Sequence, residues 1–151
     1  MKKKVVFPKD VFLEEVAHLL AEGREVKMVP KGVSMLPFIR GGKDTVVLRK
    51  KTPICVGDIV LARFERGYIL HRVFAIDGTK VVLMGDGNLQ GVEQGDVAEV
   101  CGTVVEIISP KGRRRRLTKG KLWRKLLPVR KYLLKIDRKW HKIFDKQVNT
   151  K

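Results

Sequence analysis

Three side chains that together could support acyl transfer stand in suggestive surroundings: Ser34, His71 and Asp86. Ser34 lies in Lys31-Gly32-Val33-Ser34-Met35-Leu36-Pro37-Phe38-Ile39, just past a β-type run, with glycine before it and proline soon after. Such a turn can hold a hydroxyl rigidly and aim a backbone N–H at the same point. A serine nucleophile needs both a base for its proton and donors for the oxyanion that forms. His71 sits in Tyr68-Ile69-Leu70-His71-Arg72-Val73, presented from a sheet face, and imidazole titrates close enough to neutrality to serve as that base. Asp86, in the Gly-flanked turn Gly85-Asp86-Gly87-Asn88, could accept the second imidazole proton and fix the tautomer. Singly, each has an ordinary structural explanation as a turn serine, a half-buried strand histidine and a turn aspartate.

The elements that would have to bring these residues together can be read from the patterning. Asp10 is a suitable N-cap, and Leu13, Val16, Ala17 and Leu20 make an apolar stripe that Gly23 closes, which predicts a helix over about 11–22. Six β-type runs follow: Val26–Val29, Thr45–Leu48, Asp58–Phe64, Tyr68–Ile76, Lys80–Met84 and Val97–Ile108. Glu65-Arg66-Gly67 and Asp77-Gly78 read as tight hairpin connections. Strands joined mostly by short turns predict a mainly β fold, an antiparallel sheet that is coiled or partly barrel-like, ending near Pro110.

At this level the chain resembles the signal-peptidase I and LexA-like serine peptidase superfamily. The resemblance is carried by Gly32-Val33-Ser34-Met35-Leu36-Pro37, Val56-Gly57-Asp58-Ile59-Val60, Leu70-His71-Arg72-Val73 and Gly85-Asp86-Gly87-Asn88, in the family's order, and covers about residues 29–108. His71 stands where bacterial signal peptidases carry lysine, so the chain is similar to the histidine-type branch. The resemblance implies Ser34 as nucleophile, His71 as general base and Asp86 as acidic partner. Met35, Pro37, Asp58 and Arg72 would support the site. The family's second acid, a few residues beyond the Gly-Asp block, would fall to Glu93, slightly out of register. The implied activity is a serine endopeptidase acting on a peptide or precursor protein through an acyl-enzyme, without cofactor or metal.

Composition and charge add a second theme. The 151 residues contain 33 Lys+Arg against 16 Asp+Glu, a net charge of +17, and 44% are hydrophobic, enough for a real core. Residues 111–151 hold 17 basic and two acidic residues, a net of +15, which leaves +2 for residues 1–110. Arg113–Arg116 reads as a charged linker. Beyond it Leu122, Leu126, Leu133, Ile136, Trp140, Ile143 and Phe144 fall on one helical face, interrupted at Pro128. This predicts a basic amphipathic helical tail that suits an anionic membrane surface, with nucleic acid as the less favoured partner. A non-proteolytic relative of the fold, binding membrane or nucleic acid through the tail, is the alternative function. Lys2–Lys4 is followed by too short an apolar run for a secretory leader, and no stretch of about 18 apolar residues occurs. These features point to a cytoplasmic protein with peripheral membrane attachment. Cys55 and Cys101 are far apart, with no Cys-x-x-Cys or Cys/His cluster. That spacing excludes a zinc ribbon and reads as a pair of buried reduced thiols.

Overall fold

A computed structural model describes residues 9–116 apart from Val33, Pro37 and 88–91. The expected amphipathic tail, Pro37 and most of the segment after Asp86 therefore lie outside the described residues. The described residues begin with a helix, α1 (Lys9–Ala21), and hold eight strands in one antiparallel sheet: β1 (Val26–Met28), β2 (Thr45–Arg49), β3 (Ile59–Phe64), β4 (Gly67–Asp77), β5 (Lys80–Met84), β6 (Glu93–Asp96), β7 (Val100–Ile108) and β8 (Arg114–Arg116). The order is β1-β2-β7-β3-β4-β5-β6, with β8 also on β7, and the sheet curls into a half-barrel.

Helix α1 starts two residues earlier than the sequence predicts, so Asp10 falls inside its first turn and not at the cap. Its other end is as predicted. Gly23 adopts φ +82°, its N–H donates to Leu20 O, and Arg24 N–H donates to Leu19 O, the pattern that closes a helix through a left-handed residue. Leu13, Val16 and Leu20 are buried and join Val26, Met28, Val46, Leu48, Ile59, Leu61, Val104 and Ile107 in one core. Val60, Ala62, Phe64, Val73, Val81 and Leu83 form the second core. From Ile59 to Ala62 alternate residues of β3 enter opposite cores, which is why this part of the strand is an unbroken apolar run, as expected where both faces are covered; Arg63 beyond it is exposed. Bulges between Val47 and Leu48, Leu61 and Ala62, and Val73 and Ala75 supply the extra twist that lets one sheet enclose two cores.

Five of the six predicted strands occur close to their predicted positions, and both hairpins form as read: Phe64 pairs with Gly67 and Asp77 with Lys80. The sixth differs at its start. Val97–Glu99 is a 3₁₀ turn capped reciprocally by Asp96 and Glu99, and the strand begins only at Val100. Two strands were not legible. β6, Glu-Gln-Gly-Asp, has no β-branched or aromatic residue. It pairs with β5, and Gly95 lets the Phe64 ring lie where a Cβ would otherwise stand. β8 falls in the arginine block read as a linker. It pairs Arg114, Arg115 and Arg116 with Ile108, Ile107 and Glu106. The sheet thus continues past Pro110 to Arg116. Among the described residues no helix is long and apolar enough to cross a membrane.

Candidate functional site

Ser34 lies in the long connection from β1 to β2, and this loop is built to be firm. Phe38 and Ile39 N–H both donate to Met35 O at 3.0 Å, closing a tight turn directly after Ser34. Met35 itself is buried in the first core. Gly42 N–H donates to Pro30 O at 2.7 Å, so the loop's two limbs touch. Gly41 packs on Gly32 so closely that a Cβ there would stand 1.9 Å from the Gly32 oxygen. Asp44 closes the base: its side chain is fully buried and accepts from Arg40 N–H (2.8 Å), Arg40 Nε (3.3 Å) and Arg40 Nη2 (3.0 Å). Burial pushes the Asp44 carboxyl up, but the Arg40 hydrogen bonds and charge, helped by Arg115, outweigh it and hold the group below its ordinary range. The Arg40–Asp44 clasp was not among the sequence candidates. Its signal was available, as an Arg and an Asp four residues apart flanking Gly41-Gly42.

His71 and Arg72 are neighbours on β4, and successive strand residues face opposite sides of a sheet. They do different jobs. Arg72 is 3% exposed and ties three loops together. Its Nε donates to Asp86 Oδ1 (2.8 Å), its Nη2 to Asp86 Oδ2 (2.7 Å) and its Nη1 to Gly57 O (2.8 Å). Its guanidinium also stacks on Phe38, 5.2 Å from the ring centre. The Asp86 turn in turn reaches the serine loop directly, because Gly87 N–H donates to Ser34 O at 2.8 Å. Asp58 secures the third loop: its carboxylate accepts from Lys51 Nζ (2.7 Å) and Cys55 N–H (2.9 Å), and its main-chain oxygen accepts from Val73 N–H (2.7 Å). Asp58 therefore ties Lys51 and Cys55 to β4 and does not line the pocket that holds Ser34 and His71.

Ser34 and His71 line the same pocket, of about 160 Å³, with Met28, Met35, Leu61, Tyr68 and Leu70 among its walls. The His71 ring is buried and its Nδ1 has no hydrogen-bond partner among the described residues. The orienting bond expected from Asp86 to that nitrogen is thus not made; the Asp86 carboxylate is committed to Arg72 instead. Burial pushes the imidazole pKa below its ordinary 6.5, while the charges of Glu93 and then Asp86 pull it back upward. β6 carries Glu93 next to Leu83 of β5, and Leu83 pairs with Val73 two residues beyond His71. The structure therefore brings Ser34, Met35, His71, Arg72, Asp86 and Glu93 into one neighbourhood, with Asp58 one loop away. It gives the Asp86 carboxylate a different partner, Arg72, from the one read in the sequence.

The two cysteines are free and half-buried, not fully buried. Compared with known proteins, the chain matches no family model and no curated protein.

Proposed function

We propose that this protein is a serine endopeptidase of the signal-peptidase and LexA-like type, with Ser34 as nucleophile and His71 as general base. The observation that carries the reading is the shared pocket: a turn serine and a buried, neutral-leaning imidazole line one small cleft with apolar walls. Ser34 Oγ attacks the scissile carbonyl carbon as His71 takes the hydroxyl proton. The tetrahedral oxyanion then collapses, the C–N bond breaks, and His71 returns the proton to the departing amine. Water, deprotonated by His71, hydrolyses the Ser34 ester, and the proton passes back to the serine oxygen.

With Nδ1 buried, proton exchange falls to Nε2. The Nδ1–H of the imidazolium formed during attack finds no acceptor among the described residues, and the nearby negative charges of Glu93 and Asp86 stabilise it through space. Asp86 also acts structurally, by holding Arg72 and so the turn whose Gly87 N–H fixes the Ser34 carbonyl. No cofactor or metal enters this scheme. A peptide or precursor protein is the substrate class, with the basic tail bringing the chain to an anionic membrane surface.

The test is active-site acylation of the full chain with a fluorophosphonate, alongside cleavage of candidate precursor peptides. The wild-type chain should be labelled at Ser34, and both Ser34→Ala and His71→Ala should abolish labelling and cleavage. Cleavage that persists in Ser34→Ala rejects the assignment. A chain that is never acylated supports the non-proteolytic alternative.

A further inference from the structure

We infer that Arg115, within the arginine block that reads as a linker, is a positioning residue for Ser34. This rests on the serine-nucleophile reading above. β8 runs antiparallel to β7, placing Arg115 opposite Ile107. From there Arg115 Nη2 donates to the main-chain oxygen of Phe38 at 3.1 Å, a contact spanning 77 residues of sequence. Phe38 is the far post of the serine turn: its N–H donates to Met35 O. Its ring lies against Arg72, which grips Asp86, and the adjoining Gly87 N–H holds Ser34 O. The loop carrying the nucleophile is thus clamped at Phe38 by two arginines from different strands. Arg72 does so through the ring and Arg115 through the carbonyl.

The remaining contacts of β8 agree with a docked strand. Arg114 Nη1 stands 3.5 Å from Glu106 Oε2, and the Arg115 charge also reaches Asp44, which closes the base of the same loop. Ser34 needs its Oγ held near attack geometry, and a displacement of about 1 Å can cost on the order of a hundredfold in rate. A hydrogen bond four residues from the nucleophile supplies that constraint from outside the pocket, without touching substrate. Arg116, next along the strand, carries the same charge to the other side of it, so Arg116→Ala is a matched control.

The experiment compares full-length wild type, Arg115→Ala and Arg116→Ala by two measurements. The first is hydrogen exchange at the Phe38, Ile39 and Gly87 amides, which requires no activity. Arg115→Ala should accelerate exchange there about fivefold, the factor corresponding to one ordinary net hydrogen bond, and leave β3 and β4 amides unchanged. The second is the rate of fluorophosphonate acylation at Ser34 across pH. Its limiting value should fall about fivefold in Arg115→Ala while the midpoint, set by His71, stays fixed; Arg116→Ala should match wild type in both. Unaltered loop amides in Arg115→Ala, or an equal effect from Arg116→Ala, overturn the inference even if Ser34 is labelled normally. Accelerated loop amides in a chain that no probe acylates keep the clamp and overturn the serine reading instead.

Discussion

Arg72 and His71 show how much depends on single side chains in this site. Arg72 and Asp86 form a buried, bidentate ion pair, and removing one partner from such a pair leaves an uncompensated charge that typically costs about 3–5 kcal/mol. Arg72→Ala should therefore lower unfolding stability by about that amount in urea titration; a loss below about 1 kcal/mol would show that the pair is not the joint described. His71 makes a prediction of opposite character. Its folded pKa lies below 6.5, so the imidazole is neutral at neutral pH and available as a base. Acylation of Ser34 should rise with pH to a plateau, with its midpoint below 6.5. Glu93→Gln removes the stronger of the two carboxylate influences that raise this pKa, so it should move the midpoint further down, read by the His71 imidazole proton shifts in NMR. No movement would mean that Glu93 does not face the ring. The same depression affects stability. Between 6.5 and the lower folded value the unfolded chain binds a proton that the folded chain does not, so stability falls as pH drops through that window.

At the scale of elements, what could be read from the sequence depended on whether local chemistry or a neighbour decided the conformation. α1, β2, β3, β4 and β5 carry their own signals, as apolar periodicity, a glycine C-cap and hairpin turns, and they lie within a few residues of where those signals put them. β6 and β8 carry no such signal. Glu93–Asp96 and Arg114–Arg116 are strands because β5 and β7 present open hydrogen-bonding edges to them, a long-range cause that local propensity does not contain. The site divides the same way. Ser34 and His71 were legible by residue type and surroundings, whereas the partner of Asp86 was not. The sequence pointed to His71, and the facing of the strand gives Asp86 to the adjacent Arg72 instead. The serine loop yields the prediction proper to this scale. Because Gly41 lies against Gly32 with no room for a methyl group, Gly41→Ala must push the loop's limbs apart. It should cost about 1–3 kcal/mol in stability, as overpacking does, and slow Ser34 acylation more than Arg116→Ala. An unchanged acylation rate would show that loop closure does not set the nucleophile's position.

For the molecule as a whole, the position of β8 redraws the division of charge. Counted to residue 110, the charge divides into +2 and +15; counted to the end of the sheet at Arg116, it divides differently. Residues 1–116 hold 21 basic and 14 acidic residues, a net of +7, and residues 117–151 hold 12 basic and two acidic ones, a net of +10. The arginine block thus belongs to the sheet-forming half of the chain by hydrogen bonding, while the remaining cations are the ones left for the proposed contact with an anionic surface. Two truncations separate these roles. A chain ending at Leu117 retains β8 and the Arg115–Phe38 contact, so it should unfold at the wild-type urea midpoint and keep the wild-type rate of Ser34 acylation. A chain ending at Pro110 loses both, and its acylation rate should fall at least as far as that of Arg115→Ala. Binding to anionic vesicles should follow the other boundary. If each cation near the surface contributes on the order of 1 kcal/mol, the full chain should co-sediment at low salt and the chain ending at Leu117 should not. Raising ionic strength toward 1 M, where the screening length shrinks to about 3 Å, should release the full chain. Vesicle binding by the shorter chain equal to that of the full one would place the membrane contact on the sheet domain and remove the tail's proposed role.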